Sequence, residues 1–354
     1  MNCNGKNKPA EAKEKYDVLS VETQNLYSNL KELAAKGFMF GHQDDVAYGI
    51  GWAGGEFNSD VEKISGDYPA VFGWDIGHID SLNNIDGIPF TSMKKWMVEV
   101  YNRGGINTIS WHERNLKTGQ SSWDVTPVVT DMLLGGSFNE RFNSQLDKVA
   151  DLIGSLVAEN GVRVPVIFRP FHEHNGSWFW WGKIPCSDSL YKELFRYSVD
   201  YLKKDKGINN MLVCYSPDAF SNKEEYLERY PGDDYVDILG FDDYKSLHSD
   251  ETRDIIKMRL EVVNDLAKQK DKLATVAETG YETLSDTTWF TNVLLKGLKS
   301  TPKTDRVSYV LVWRNARPDH HYAPYPGHPV VPDFLKFKAD SSIFFLDDLP
   351  DMYN

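Results

Sequence analysis

Eight short apolar runs alternate with amphipathic segments along the chain, and this alternation is the strongest constraint on its fold. The runs occupy residues 38–42, 70–75, 106–112, 164–168, 211–216, 236–241, 273–277 and 308–313. Nearly continuous apolar runs of this length are typical of buried parallel strands. Between them, apolar residues recur at three- and four-residue spacing, which predicts helices over residues 93–103, 142–159, 190–204, 252–269 and 289–298. The pattern predicts an α/β fold, a single (β/α)8 TIM barrel.

A doubly wound open sheet is the alternative for alternating strands and helices. Such a sheet normally carries a glycine-rich phosphate-binding turn after an early strand, and the sequence has none. Glycine and proline are scattered, without a cluster that would mark an internal linker. We therefore expect one barrel domain over residues 17–354, preceded by a flexible polar tether over residues 1–16.

The charge balance excludes two classes of partner. The chain has 354 residues and a formal net charge of −13. An excess of carboxylates repels phosphate backbones and anionic lipids, so neither nucleic acid nor a membrane surface is an expected partner. No apolar run reaches the roughly 18 residues that a membrane-spanning helix requires. The three cysteines show neither a disulfide framework nor a zinc-binding spacing.

Polar or aromatic side chains follow every predicted strand at the end where it stops. Two of these ends carry a glutamate, Glu173 after the fourth strand and Glu278 after the seventh. The C-terminal ends of barrel strands meet at one face, where barrel enzymes build their active sites. Strands four and seven are not neighbours, so their ends can face each other across the mouth of the barrel.

Two facing carboxyl groups are the minimum set of catalytic groups that hydrolysis of a glycosidic bond requires. A carboxylic acid of raised pKa protonates the leaving oxygen, and an ionised carboxylate stabilises or attacks the anomeric carbon. We assign Glu173 as the acid/base and Glu278 as the nucleophile. Carboxyl groups about 5 Å apart would give retention, and a gap of about 6.5–9.5 Å would give inversion. Tyr244 follows strand six and is a candidate to hydrogen-bond Glu278; a plain rim tyrosine is the alternative.

The residues around Glu173 admit further interpretations. On a strand, His172 and His174 would share a face opposite Glu173, which is not the helical spacing of zinc proteases, so no catalytic metal is expected. Four consecutive rings at 178–181 follow in a loop, and at least one of them is expected to form a platform for a sugar. Arg169 either holds a carboxylate of the site or forms a structural ion pair inside the barrel.

These motifs together resemble glycoside hydrolase family 26, the β-mannanases, over residues 38–346. The matching segments are 41–43, 110–112, 123–124, 134–139, 169–182, 242–244, 277–280 and 313–315, of which 169–182 is the most specific. The resemblance implies Glu173 as acid/base and Glu278 as nucleophile of a retaining β-1,4-mannanase acting on mannan, galactomannan or glucomannan. It implies no cofactor.

The resemblance also implies roles for the surrounding side chains. The residues that shape the sugar subsite at the cleavage point (−1) would be His112, Trp123, His172, Trp178 and Tyr244. Trp313 would pack against the sugar nearby, and Asp242 and Arg314 would bind further groups of the chain, with Arg314 at the next subsite (−2). The loops 77–90 and 316–331 are the chain's own, and either close one end of the cleft to favour short products such as mannobiose or vary without consequence.

Two alternatives to a mannanase stay open. The same family includes enzymes that act on β-1,3/1,4-glucans and β-1,3-xylans, which keep the fold and the mechanism and change the sugar. A non-catalytic carbohydrate-binding barrel is the alternative from another class, and the presence of both glutamates argues against it.

The first residues of the chain predict the cellular location of the protein. The start Met-Asn-Cys, followed by a lysine-rich polar segment, fits either a cytosolic start or a bacterial lipoprotein without its signal peptide. Polysaccharide-degrading enzymes work outside the cytoplasm, which favours the second interpretation. We therefore expect an exported protein, periplasmic or anchored to the outer membrane by a lipid on Cys3.

Overall fold

The computed structural model describes residues 19–302 and 307–354, and within them eight parallel strands close into a barrel. The strands are β1 Phe38–Gln43, β2 Val71–Asp75, β3 Ile106–Trp111, β4 Val166–Pro170, β5 Met211–Tyr215, β6 Ile238–Asp242, β7 Leu273–Thr279 and β8 Tyr309–Val312. Each strand pairs in parallel with the next, and β8 closes the ring on β1, with Tyr309 opposite Met39. The predicted (β/α)8 barrel is confirmed. The tether over residues 1–16, with Cys3, lies outside the described residues.

Helices surround the barrel between successive strands. The α-helices of the described residues are α1 Val21–Ala34, α2 Asp60–Ser65, α3 Phe90–Asn102, α4 Val129–Met132, α5 Asn139–Gly154, α6 Asp188–Asp200, α7 Lys223–Leu227, α8 Arg253–Lys270, α9 Lys296–Leu298 and α10 Val331–Lys338. Two π-helical stretches, Tyr201–Asp205 and Phe290–Leu295, continue α6 and lead into α9, and short 3-10 turns lie at Asp233–Tyr235, Asp250–Thr252, Glu282–Leu284 and Leu346–Asp348. Local capping explains some starts; for example, the Ser20 hydroxyl accepts the Thr23 N–H at the beginning of α1.

Side chains on each strand alternate between the barrel interior and the surrounding helices. On β1, Met39 packs in the interior group while Phe40 faces outward. The Phe40 ring lies 5.4 Å from Phe334 and 5.7 Å from Phe337 of α10, edge to face. Aromatic packing of this kind fixes the helix layer against the sheet and thereby fixes where each strand ends.

Three small elements complete the described chain. Ile343–Phe344 pairs with the start of β1, and Tyr48–Gly49 pairs with Trp52–Ala53 in a short hairpin after β1. Within residues 19–302 and 307–354, no helix is long and apolar enough to cross a membrane.

Candidate active site

The two predicted catalytic glutamates lie on backbone of different kinds. Glu278 is the last residue but one of β7, whereas β4 stops at Pro170 and Glu173 lies in the turn beyond it. Phe171 and Glu173 have φ of 50° and 52°, a left-handed conformation that costs energy for a side chain with a Cβ. The Glu173 N–H donates to the Ser216 carbonyl at 2.8 Å and holds this turn. The expectation that residues 172–174 alternate along a strand is wrong, because the strand ends before them.

Both carboxylate oxygens of Glu278 accept a hydrogen bond. The Tyr244 hydroxyl donates to Oε1 at 2.7 Å, and Arg169 Nη2 donates to Oε2 at 2.5 Å. The hydrogen bond predicted for Tyr244 is therefore confirmed. A phenol and a guanidinium that both donate to one carboxylate fix its orientation.

Arg169 bridges two carboxylates rather than clamping one. Its second nitrogen, Nη1, donates to Asp242 Oδ2 at 2.7 Å, and the Ser216 hydroxyl donates to Asp242 Oδ1 at 2.5 Å. Burial raises the pKa of Asp242, and the guanidinium opposes that rise. Asp242 has no exposed surface, which does not fit the sugar contact predicted for it. Its two oxygens are occupied by Ser216 and Arg169, and its bond to the guanidinium positions Arg169 next to Glu278.

The Glu173 carboxyl has a poorer set of partners. Trp178 Nε1 donates to its Oε2 at 2.9 Å. Burial and the negative charge of Glu278 raise the pKa of Glu173 to about 8, while the Trp178 hydrogen bond partly opposes them. A glutamic acid that keeps its proton at neutral pH, beside a glutamate held by two donors, is the arrangement that general acid catalysis requires.

Four predicted sugar-binding residues meet in one cluster of rings. His112 stacks on Trp123 at 5.2 Å between centroids, and meets His172 edge to face at 4.6 Å and Trp313 at 6.4 Å. His112 Nδ1 lies 2.6 Å from Asp75 Oδ2. Burial alone would lower the pKa of His112, but the Asp75 carboxylate raises it. Burial lowers the pKa of His172, so that imidazole stays neutral.

The four consecutive rings at 178–181 divide between core and surface. Phe179, Trp180 and Trp181 are buried, and Trp180 Nε1 and Trp181 Nε1 donate to the carbonyls of Glu113 and His172. Trp178 is 37% exposed and is the one ring of the four that is open to a ligand. Three of the four rings therefore pack the loop after Glu173 against the core, and the Trp178 indole stays exposed.

Arg314, next to Trp313 of the ring cluster, forms an ion pair with Asp86. Its Nη1 also lies 3.1 Å from the Tyr48 hydroxyl. Asp86 belongs to the loop after β2, and Arg314 is the second residue after β8. The ion pair therefore ties the first of the two loops that the sequence marked as the chain's own, 77–90, to the residues just before the second, 316–331.

One group of side chains has the spacing of metal ligands. His172, Asp242 and Glu278 each offer an atom within 4.8 Å of the others. The Arg169 guanidinium already binds both carboxylates and places a positive charge beside them. Because that charge repels a cation, these residues do not fit a metal site.

Several residues near the glutamates were not among the predicted site residues. Asp75 and Ser216 end strands and were marked only by the clustering of polar residues there. Asp86 and Tyr322 lie in loops; Tyr322 packs on Gly280 and lies 6.0 Å from the Tyr244 ring. No sequence pattern signals a loop residue whose position depends on a second loop.

A pair of glutamates in contrasting surroundings at the C-terminal mouth of a (β/α)8 barrel is typical of glycoside hydrolases. Comparison with known proteins agrees. The profile of glycosyl hydrolase family 26 matches residues 18–287. The solved structure of a β-mannanase of that family from Bacteroides ovatus is 44% identical in sequence, covers 95% of this chain and 98% of its own, and has a TM-score of 0.90. The chain belongs to glycosyl hydrolase family 26, which confirms the predicted resemblance.

Two curated relatives match this chain over only part of their own length. A mannan endo-1,4-β-mannosidase from Bifidobacterium adolescentis is 33% identical over 91% of this chain, and one from Bacillus subtilis is 36% identical over 52%. The matched regions make up 34% and 52% of those proteins, so the match spans about a third and about half of their lengths.

Proposed function

We propose that the chain is a retaining glycoside hydrolase that cleaves β-1,4-mannosidic bonds in mannan, galactomannan and glucomannan. The observation that carries the proposal is the contrast between Glu173, whose pKa is raised to about 8, and Glu278, held by Arg169 and Tyr244. The names of the Bacteroides, Bifidobacterium and Bacillus relatives support β-mannan as the substrate.

The proposed reaction proceeds by two displacements. In the first, Glu278 attacks the anomeric carbon and forms a glycosyl ester, while Glu173 gives its proton to the departing glycosidic oxygen. In the second, Glu173 takes a proton from water, which attacks the same carbon and releases Glu278. Two inversions give net retention. Arg169 and Tyr244 position the nucleophile, and Asp242 positions Arg169. The proposed chemistry uses no metal or cofactor.

The ring cluster is proposed to select mannose at the cleavage point. Mannose carries an axial 2-hydroxyl, so the site must recognise that group in a distorted ring. His112, with one nitrogen held by Asp75, and the neutral His172 supply polar atoms beside Trp123. Trp178 and Trp313 provide partly exposed indole surface, and the hydroxyl of Tyr244 is shared with Glu278.

The Asp86–Arg314 ion pair supports a cleft that is closed at one end. It ties together the loops after β2 and β8, and a closed end favours release of short products such as mannobiose over random internal cuts. Arg314 would bind the sugar next to the cleavage point.

We also propose that residues 17–354 act as one catalytic unit and that the chain is exported, with Cys3 lipid-anchored behind a flexible tether. The polymeric substrate supports export, because polysaccharides do not enter the cytoplasm. Fatty-acid labelling of cells that express the native gene tests the anchor. Label that persists in a Cys3→Ser variant would contradict it.

Product analysis is the direct test of the function. The protein is incubated with linear mannan, galactomannan, mixed-linkage glucan and xylan, and products are separated by chromatography, with Glu278→Ala as control. We expect manno-oligosaccharides from the mannans alone, and the anomeric form of the first product, read by NMR, to be β. Glucan or xylan products would overturn the substrate; binding without any product would favour a carbohydrate-binding protein.

A further inference from the structure

A large groove lies on the flank of the barrel, and neither Glu173 nor Glu278 lines it. It has a volume of about 1140 Å³ and runs between α3 and the hairpin region after β1. Ser92, Trp96 and Arg103 line it from the beginning of α3 to just past its end. At 1.5 Å per residue this helix face is about 16 Å long, so the groove leads from the mouth of the barrel toward its base.

The upper end of this flank groove borders the proposed active site. Asp86 and Arg314, whose ion pair joins the two loops, both line the groove, and so does Tyr48. Neither glutamate lines it. Asp86 and Arg314 therefore lie between the catalytic cleft and the flank groove.

The walls of the groove suit a neutral, hydroxyl-rich ligand with apolar faces. Two partly exposed indoles, Trp52 and Trp96, line it. Trp52 is held in place, because its Nε1 donates to Asp60 Oδ1 at 2.7 Å and Lys63 Nζ lies 4.8 Å above its ring. A ring that is already immobile loses little conformational entropy when a ligand stacks on it.

The charges of the groove balance. The lining includes three cationic and three anionic side chains, Lys95, Arg103, Arg314, Glu56, Asp86 and Glu99. Two cations already have partners, since Arg103 Nε lies 2.7 Å from Glu99 and Arg314 pairs with Asp86. A balanced and mostly paired set neither attracts nor repels an ion, but it offers hydrogen-bonding groups to a neutral ligand.

We propose that the flank groove is a second carbohydrate-binding site, which holds a segment of mannan that is not threaded through the catalytic cleft. The proposal rests on the proposed function for the identity of the polysaccharide. The volume of the flank groove exceeds the roughly 300–1,000 Å³ of pockets for small ligands, so the groove fits an oligosaccharide better than a monosaccharide. Binding there retains the enzyme on the polymer beside the next bond to be cut.

The first variant fills the groove with a longer side chain and deletes no core contact. Ser92→Arg places a long side chain in it, and Thr91→Arg is the matched control, on the same turn of α3 but exposed and outside the lining. Trp96→Ala is a second groove variant. We expect KM on galactomannan to rise about fivefold in Ser92→Arg and Trp96→Ala, with kcat on mannotriose unchanged and Thr91→Arg like the wild type. Unchanged KM on the polymer in both groove variants, at unchanged melting temperature, would overturn the proposal.

A binding measurement separates this inference from the proposed function. Affinity electrophoresis in gels that contain galactomannan is carried out in the inactive Glu278→Ala background. Retardation that Ser92→Arg weakens and Thr91→Arg does not supports the groove, whether or not the wild type hydrolyses mannan. Equal retardation of both variants refutes the groove, while hydrolysis by the wild type leaves the proposed function standing.

Discussion

The two glutamates at the barrel mouth carry the same side chain in opposite surroundings. Glu278 lies within a regular strand and accepts hydrogen bonds from a phenol and a guanidinium. Glu173 lies on a left-handed turn and accepts one indole hydrogen bond, and its pKa is raised to about 8. The surroundings therefore set the roles of the two carboxyl groups: two donors orient Glu278, whereas burial and the charge of Glu278 keep the proton on Glu173.

A third glutamate sharpens this comparison. Glu113 follows β3, is buried, and has a pKa raised to about 8 by burial and by the charge of Asp80. Its backbone carbonyl, not its carboxyl, accepts from Trp180 Nε1. It matches Glu173 in the direction of its pKa shift, but the carboxylate that acts on it is Asp80 and not Glu278. A raised pKa alone therefore does not identify a catalytic acid.

Replacing Glu278, the glutamate with two hydrogen-bond donors, should have the largest effect. Glu278→Ala removes the proposed nucleophile, and we expect kcat on mannan to fall by at least about 10⁴-fold. Binding of manno-oligosaccharides, measured by calorimetry, should persist, because the ring cluster is untouched. Hydrolysis at a near-normal rate would show that another group is the nucleophile.

Replacing Glu173 should cost less and in a characteristic way. Glu173→Gln removes the proton donor, and we expect a loss of about 10²–10⁴-fold on mannan. The first step on a dinitrophenyl β-mannobioside, whose leaving group needs no proton, should be nearly unaffected. Azide should then restore turnover and give a β-configured azide product.

Glu113→Gln is the matched control for this experiment. We expect it to retain activity of the same order as the wild type and to gain nothing from azide. An equal loss in both variants would mean that burial of a glutamate, not its place opposite Glu278, governs the activity.

The strand pattern allowed much of this architecture to be predicted. Continuous apolar runs locate buried strands, and polar residues at their ends locate the mouth, so Glu173, Glu278 and the Tyr244 hydrogen bond follow from local sequence. The turn at residues 171–173 did not follow, because two non-glycine residues with positive φ are stabilised by tertiary contacts such as the Ser216 carbonyl. The Asp86–Arg314 pair joins loops 228 positions apart, and no local pattern specifies such a contact.

The burial of Asp242 illustrates a related difficulty. From sequence, a polar residue at the end of β6 is expected to face the ligand, as Tyr244 does two positions later. The register of β6 and β7 shifts between Phe241 and Asp242, so that Asp242 pairs with Glu278. Both oxygens of Asp242 accept from Arg169 and Ser216, so this carboxylate holds the arginine rather than a ligand. Irregularities of this kind depend on the partner strand and are not visible in one strand's sequence.

Removing one donor to Glu278 tests the other half of the comparison. In Tyr244→Phe the ring stays but the hydroxyl bonded to Oε1 is lost. A hydrogen bond to a charged group contributes about 1.5–3 kcal/mol, so we expect kcat to fall about ten- to a hundredfold. Tyr322→Phe is the control, because it changes a neighbouring hydroxyl that makes no hydrogen bond to Glu278. Similar losses in both variants would contradict a specific role for the Tyr244 hydroxyl.

Removing the single donor to Glu173, the Trp178 N–H, should have the smallest effect, and this effect should appear in the pH profile. A general acid works only while protonated, so kcat/KM should fall as the pH rises through the pKa of Glu173, about 8. The Trp178 N–H favours the ionised form, so its loss in Trp178→Phe raises the pKa and moves this alkaline limb to higher pH. Trp123→Phe changes a ring that does not touch Glu173, and should alter KM while leaving the limb in place. A limb that stays at the same pH in Trp178→Phe would mean that the indole acts on the sugar alone, and that burial and the charge of Glu278 are sufficient to keep the acid protonated.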